Sequence, residues 1–251
     1  MHRRLFMAST AAAPLAAVPM AAAAAAAPAA ANPAARAAQS LFDRYWQAQM
    51  EQYPEWATYV GDHRHGDRLR DASPAGIAAE FDSARRFRTE ALALRTPALP
   101  AAERQSLDIL LHQLDDHLAL EPFEGFRLMS LGARSGLHSD MAELLQVCPV
   151  DNDEQTQQLF KRIGAYPRRM AQEIDGLRRA RGLRWVPARP VLQRVLEQID
   201  DMLRLPLAES PFMEPFKRLP ADLPQARRQA LRQQGEAAVR DQVLPQVLRL
   251  R

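Results

Sequence analysis

Apolar side chains recur at three- and four-residue spacing along most of the chain from residue 41 onward, which is the pattern of amphipathic α-helices. The strictest example lies at 107–118, where leucines occupy one helix face and mainly charged residues the other. A similar stretch begins at the Ser73-Pro74 pair, so these two helices are expected to pack antiparallel. The sequence shows neither a convincing strand pattern nor a repeat of fixed period, and the pattern therefore predicts an all-α fold.

Proline and glycine set the predicted ends of the first helices, because proline lacks a backbone N–H and glycine readily takes a left-handed conformation. A helix capped by Ser40 is expected to end at Pro54. Pro54 would then begin a short helix that ends at Gly61, followed by a loop over 62–67. The large apolar residues of the short helix are expected to face inward: Trp56, Tyr59 and Val60.

Proline-rich connections divide the rest of the chain. Tyr166-Pro167 is expected to separate two helices, and the five prolines of 205–224 predict an extended crossing loop. A last helix starts near Pro224 and reaches Arg251 without a glycine cap or polar tail. We therefore expect an apolar stripe without a partner at 244–250. The fold class predicted is an all-α, multi-helix array that forms an incomplete domain, truncated at its C-terminus.

Residues 1–38 have the character of an export signal, with a charged start and a long alanine-rich run. Arg3-Arg4 followed by Leu5, Phe6 and Met7 is typical of a twin-arginine signal, and an ordinary positive start remains an equal alternative. Prolines interrupt the apolar run, so a permanent membrane span is not expected. The mature domain would then be 39–251, in the periplasm or secreted.

The charge of the chain gives little support for a nucleic-acid partner. Cleavage after Ala26 or Ala31 would remove two arginines and lower the formal net charge from +3 to +1. A local excess does occur at 161–204, with eleven basic and five acidic residues. Its arginines alternate with an apolar stripe and lack aromatic or glycine-rich interleaving, so we interpret them as solvated helix faces and expect no nucleic-acid partner.

The histidines do not form a recognisable metal site. His63-x-His65, flanked by aspartates, has only a partial likeness to one, because residues two apart face the same way only in extended backbone and a third ligand is missing. His112 and His117 are five apart and fall on different helix faces. No histidine is followed by glutamate, so H-E-x-x-H is absent. We predict no metal ligand and no catalytic residue in this chain.

The single cysteine, Cys148, stands before a proline in an apolar stretch. A thiol becomes a nucleophile when its environment favours the thiolate, and an apolar environment does the opposite. We therefore predict a buried, inert thiol.

Five segments, taken in the order in which they occur along the chain, resemble the bacterial domain-of-unknown-function 885 family. They are FDRYWQAQMEQYPEWATYVGDHRHGDRL, SLGARSGLHSDMAELL, FKRIGAYPRRMAQEIDGLRRARGLRWVPARPVLQRVLEQIDDML, SPFMEPFKRLPADLP and EAAVRDQVLPQVLRL. The resemblance extends from residue 41 to the end of the chain and covers roughly the N-terminal half of the family's domain.

The resemblance implies an exported, all-helical zinc metallopeptidase of the gluzincin kind. Its H-E-x-x-P-G-H-type motif would lie in the C-terminal half, with zinc held by the histidines and water activated by the glutamate. Those positions are absent here, so zinc is implied only for the full-length family. The loop residues Asp62, His63, Arg64, Arg134 and His138 are expected to line a substrate cleft formed with the missing half, or else to brace the loops.

Two functional hypotheses follow. In the first, the chain is the N-terminal, non-catalytic portion of an exported metallopeptidase-like hydrolase, inactive alone and able to engage a peptide-like substrate only with the C-terminal half. In the alternative, it is a free-standing helical periplasmic binding or interaction protein.

Overall fold

A computed structural model describes residues 32–251, and within this range the fold is all-α. The α-helices are α1 (Pro33–Gln52), α2 (Pro54–Tyr59), α3 (Pro74–Leu94), α4 (Ala101–Ala119), α5 (Glu124–Arg127), α6 (Asp140–Val147), α7 (Asp153–Gly182), α8 (Arg189–Arg204), α9 (Glu214–Lys217), α10 (Gln225–Ala238) and α11 (Leu244–Leu250). Short 3-10 turns occur at His63–His65, Leu207–Glu209 and Pro211–Met213, and a π-helical segment, Val239–Val243, joins α10 to α11. Extended pairing in this range is limited to one isolated bridge between Leu131 and Gly136.

Helices α1, α3 and α4 enclose the first hydrophobic core. The predicted leucine face of α4 points into it, with Leu107 and Leu114 almost fully buried. Ser73 caps α3 as predicted, since its hydroxyl accepts a hydrogen bond from the Gly76 backbone N–H at 3.0 Å. Phe87 of α3 meets Tyr45 of α1 edge to face, with ring centroids 5.2 Å apart.

Helix α1 begins earlier than the sequence indicated. Asn32 caps it, accepting a hydrogen bond from the Ala34 backbone N–H at 2.9 Å, and Pro33 occupies the first turn. The predicted cap at Ser40 was wrong because the alanine-rich stretch has high helix propensity and Ala38 is buried in the first core. Residues 33–38, which are the last residues of the leader predicted over 1–38, therefore belong to this helix, and residues 1–31 of that leader lie outside the described residues.

Helix α2 starts at Pro54 and is followed by Gly61 at a left-handed φ of +85°, both as predicted. The predicted inward face was wrong. Pro54, Ala57 and Thr58 are buried, whereas Trp56 and Tyr59 are 54% and 48% exposed. A helix of six residues can bury only one narrow face. Here the buried face carries the Pro54 backbone oxygen and the Thr58 hydroxyl, which accept hydrogen bonds from Arg162 of α7.

Helix α7 is a single 30-residue helix with Pro167 inside it, so the predicted division at this proline was wrong. Ile163, Tyr166 and Met170 are buried on both sides of the proline in one continuous apolar face. Burying such side chains stabilises by about 1.5–3 kcal/mol each, which outweighs the roughly 3 kcal/mol that an interior proline costs.

The second hydrophobic core is formed by α6, α7, α8, α10 and α11 together with the proline-rich segment 205–224. That segment is not the extended loop predicted from its prolines. It folds into two 3-10 turns and α9, and it buries Phe212 and Phe216 completely or nearly so. Proline favours the first turn of a helix, and Pro211 and Pro215 occupy such positions.

The last helices pack against α7 and α8. Val243 and Val247 are buried in the second core, and Leu244 and Leu250 are partly buried against it. The predicted open stripe was therefore wrong for most of its members, because the continuous run 225–250 folds back onto this core. Leu248 is the member that remains exposed.

Arg162, in the middle of α7, joins this helix to the first part of the chain. Its guanidinium is completely buried and donates to the backbone oxygens of Arg68 (2.9 Å), His65 (2.9 Å) and Pro54 (3.3 Å) and to the Thr58 hydroxyl (2.9 Å). It also approaches the Cys148 sulfur at 3.4 Å. Five donors in a fixed fork suit this set of acceptors, which a lysine ammonium would not satisfy.

Replacing Arg162 by lysine should therefore lower the free energy of unfolding by about 3 kcal/mol, because the backbone acceptors lose their donors and the buried charge is less well solvated. Urea denaturation measures this change. Arg178→Lys is the matched control in the same helix, since Arg178 is exposed and bonds only to Asp175, and it should alter stability by less than about 0.5 kcal/mol. Equal effects from the two variants would contradict a bracing role for Arg162.

Replacing Pro167 by alanine should raise the free energy of unfolding by about 2 kcal/mol, because alanine restores an N–H donor inside a continuous helix while the greater freedom of the unfolded chain offsets part of that gain. Pro190→Ala is the control, since Pro190 lies in the first turn of α8, where that donor is not needed. Thermal denaturation measures the stability of both variants. Pro190→Ala should not raise the stability. If Pro167→Ala also failed to raise it, or lowered it, Pro167 would be behaving as a proline that starts a helix, and residues 153–182 would form two helices instead of one.

Candidate functional site

A groove of about 760 Å³ lies between α1, α2, α6 and α7 and is referred to below as the aromatic groove. Its lining comprises Gln49, Tyr53, Glu55, Trp56, Tyr59, Leu69, Arg70, Leu137, Asp140, Met141, Glu143, Leu144, Tyr166 and Arg169. The volume lies within the range typical of small-ligand sites. The lining contains no serine, threonine, cysteine or histidine, and its polar members are carboxylates, arginines, tyrosines and one glutamine.

Aromatic side chains form one wall of the aromatic groove. Trp56 and Tyr59 project from α2 into solvent because the opposite face of this short helix is used for contacts with Arg162. Tyr166 contributes from α7, where burial and then the negative charge of Asp140 raise the pKa of its hydroxyl. Exposed large aromatic residues around a concavity commonly mark a binding surface.

A buried ion pair forms the floor. Arg70 donates two hydrogen bonds of 2.6 Å to Glu80 of α3, whose side chain is only 5% exposed. The Tyr53 hydroxyl donates to the same carboxylate at 3.2 Å. Burial, followed by the negative charge of Glu80, raises the pKa of Tyr53, so this hydroxyl remains protonated as a donor at neutral pH.

The second arginine of the groove is also engaged by carboxylates. Arg169 donates to the Arg70 backbone oxygen at 2.9 Å, forms an ion pair with Glu173 at 2.6 Å and lies 3.8 Å from Glu55. Glu55 in turn accepts from the Arg70 backbone N–H at 3.0 and 3.1 Å. Both groove arginines are therefore held in place by the fold.

Asp140 and Glu143, in the first turn of α6, differ from the other charged residues of the groove. Neither side chain has a hydrogen-bond or ion-pair partner within residues 32–251. Both side chains are exposed to solvent. The groove walls, and then the negative charge of Glu143, raise the pKa of Asp140. The pKa of Tyr59 is raised by burial and then by these two carboxylates, which places all three groups near one another.

The predicted loop residues Asp62, His63 and Arg64 lie beside the short 3-10 turn. Asp62 caps this turn, accepting from the Arg64 backbone N–H at 3.2 Å and from its guanidinium at 2.8 Å, and these bonds lower the pKa of Asp62 to about 2. Arg64 also donates to Gln47 of α1 at 2.6 Å. The buried Nδ1 atom of His63 has no hydrogen-bond partner.

The other two predicted residues lie near α8. Arg134 is exposed, whereas His138 is buried and its Nε2 lies 2.8 Å from Gln198 Oε1. Gln198 also donates to the Ala133 backbone oxygen at 3.2 Å, so this pair fastens the loop to α8. None of the five predicted residues lines the aromatic groove, and their assignment to a cleft wall stays a prediction.

The resemblance implies zinc ligation for the full-length family. Among residues 32–251, no three histidine, cysteine, aspartate or glutamate side chains are grouped so as to hold a metal ion. His63 and His65 are part of a helical turn, and neither buried Nδ1 has a hydrogen-bond partner. The described residues therefore do not fit a zinc centre.

Cys148 is buried, as predicted, and burial raises the pKa of its thiol despite the neighbouring Arg162. In the basic stretch 161–204, Arg162 is buried in the second core and several of the exposed arginines form surface ion pairs. These pairs are Arg178–Asp175, Arg179–Glu124, Arg194–Glu197 and Arg204–Asp201. No helix within the described range is long and apolar enough to cross a bilayer.

Sequence reasoning missed the groove itself. The sequence pattern placed Trp56 and Tyr59 in the interior. Asp140 and Glu143 belong to no recognisable sequence motif. One signal was available: a six-residue helix cannot bury two large aromatics together with a proline, an alanine and a threonine on its other face.

These features define the protein as an all-helical domain with an open groove of aromatic and acidic residues. It belongs to the family described as "Bacterial protein of unknown function (DUF885)", whose model matches residues 54–251. The match begins later than the resemblance at residue 41 indicated. A search of curated proteins finds no match.

The fold is shared with a solved structure, described as the crystal structure of the "putative lipoprotein" from Colwellia psychrerythraea. The TM-score is 0.74 at 15% sequence identity, and the alignment covers 86% of the present chain. The chain spans 40% of that protein's length. At this identity the likeness establishes the fold.

Replacing Glu80 by glutamine should lower the free energy of unfolding by about 2–3 kcal/mol, because the half-buried Arg70 loses its charged partner. Chemical denaturation measures the loss. Asp82→Asn in the same helix is the control, since Asp82 forms an exposed pair with Arg85 and its loss should cost less than about 0.5 kcal/mol. An Asp82 variant as damaging as the Glu80 variant would show that the buried pair has no special role.

Proposed function

We propose that this chain is the N-terminal, non-catalytic helical part of an exported, metallopeptidase-like hydrolase, and that the aromatic groove supplies one wall of its peptide-binding cleft. The observation that carries the proposal is the groove itself. It combines exposed aromatic faces, fixed arginines and free carboxylates in a volume that suits a few peptide residues.

The sequence lacks the motif that the resemblance implies for the catalytic half, since no histidine in the 251 residues is followed by glutamate. The groove lining contains no histidine, serine, threonine or cysteine. On this proposal, the zinc ligands and the general base come from residues beyond this chain. The coverage of 40% of the Colwellia protein leaves room for such residues in relatives.

Export is the second part of the proposal. The charged and alanine-rich start, including Arg3 and Arg4, is the feature that supports it, and these residues lie outside those that the structure describes. A relative by fold described as a lipoprotein is compatible with an exported protein. The proposed location of the mature chain is the periplasm or the medium.

The proposal is tested with the purified chain, a mixture of short peptides and added Zn²⁺. Peptides should bind weakly and quench tryptophan fluorescence, Trp56→Ala should remove most of this binding, and mass spectrometry should detect no cleavage. Trp46→Ala is the matched control, since Trp46 is also exposed but does not line the groove.

Chelator-sensitive cleavage, or tight stoichiometric zinc binding, would contradict the non-catalytic assignment. A monodisperse, cooperatively melting chain that binds no peptide would instead favour the alternative, a free-standing helical binding or interaction protein.

A further inference from the structure

We infer that the aromatic groove selects a positively charged ligand group, namely a lysine or arginine side chain of a peptide, held between the aromatic faces of α2 and the carboxylates of α6. This inference rests on the proposed function and deepens it by naming the class of substrate.

The charged residues of the groove leave an excess of negative charge. Its two arginines are already neutralised by Glu80, Glu173 and Glu55, whose oxygens lie 2.6 to 3.8 Å from guanidinium nitrogens. The carboxylates of Asp140 and Glu143 have no such partner in the described part of the chain. The groove therefore presents a net negative charge to a ligand, which attracts a cation and disfavours an anion.

The aromatic wall of the groove can also attract a cation. Trp56 and Tyr59 keep about half of their surface exposed on the side of the groove. A cation within about 6 Å of a tryptophan or tyrosine ring centre is attracted by the negative face of the ring, most strongly by tryptophan. An aromatic face opposite a free carboxylate attracts a guanidinium or ammonium group from two sides, and the apolar stem of lysine or arginine can pack on the ring.

Stabilisation of α6 by its own helix dipole does not account well for Asp140 and Glu143. Acidic residues in the first turn of a helix are stabilised by the helix dipole, which would lower their pKa. The opposite holds for Asp140, because the groove walls and Glu143 raise its pKa. Both carboxylates are exposed at the groove and have no partner in the described part of the chain, so a cationic ligand could pair with them without displacing an ion pair.

The test compares three blocked pentapeptides, in which alanines flank a central lysine, norleucine or glutamate. Calorimetric titration of the purified chain should show the lysine peptide binding about tenfold more tightly than the norleucine peptide, which equals about 1.4 kcal/mol. The glutamate peptide should bind most weakly. High salt should reduce the preference for lysine, because exposed charges are screened.

The double variant Asp140→Asn/Glu143→Gln should reduce the ratio of lysine-peptide to norleucine-peptide affinity to twofold or less, with the larger loss of affinity falling on the lysine peptide. The matched control is Glu209→Gln/Asp222→Asn, which removes two exposed carboxylates outside the groove and should leave the preference intact. Circular dichroism checks folding, and the salt dependence of the unmodified chain supplies an independent readout if the double variant does not fold.

Each outcome has one meaning. Equal binding of the lysine and norleucine peptides, or preferred binding of the glutamate peptide, overturns the inference and leaves a peptide-binding groove in place. Failure of all three peptides to bind overturns the proposed function and the inference together. A lysine preference that survives in the double variant overturns the assignment to Asp140 and Glu143.

Discussion

The burial of the Arg162 guanidinium is the constraint on which the arrangement of this fold depends. A charged group removed from water is costly unless hydrogen bonds replace its hydration. No carboxylate in the described residues forms an ion pair with it, and the compensation comes from three backbone oxygens and the Thr58 hydroxyl. These acceptors come from α2 and the loop that follows it, so the packing of α7 depends on the positions of both.

The aromatic groove follows from this requirement. The face of α2 that meets Arg162 carries Pro54 and Thr58, so the opposite face, with Trp56 and Tyr59, has to point outward. The same contact fixes the loop up to Arg68, and the next residues of the chain reach the groove floor. There, Arg70 pairs with Glu80 and connects the floor to α3. A buried structural charge thus positions an exposed surface that is available for a ligand.

The charged residues of the groove fall into two groups: arginines that are paired within the fold, and carboxylates that are free to contact a ligand. The arginines are bound by carboxylates and hold the backbone, which explains their position without any ligand. Asp140 and Glu143 form no hydrogen bond or ion pair through their side chains in the described part of the chain, and both are exposed at the groove opposite the aromatic wall. They are therefore available to a ligand. Family membership and the shared fold agree with this interpretation but do not by themselves specify a ligand.

The sequence by itself determined the helical class, the leucine face of α4, the cap at Ser73, the left-handed Gly61 and the buried Cys148, because periodicity, capping and backbone freedom act over a few neighbouring residues. Only the tertiary structure decided that α7 continues through Pro167, that 205–224 enters the core and that Trp56 faces solvent. In each of these cases burial against residues distant in the chain outweighed a local preference. The pairing of Arg162 with α2 spans about a hundred positions, and no local pattern encodes a contact of that range.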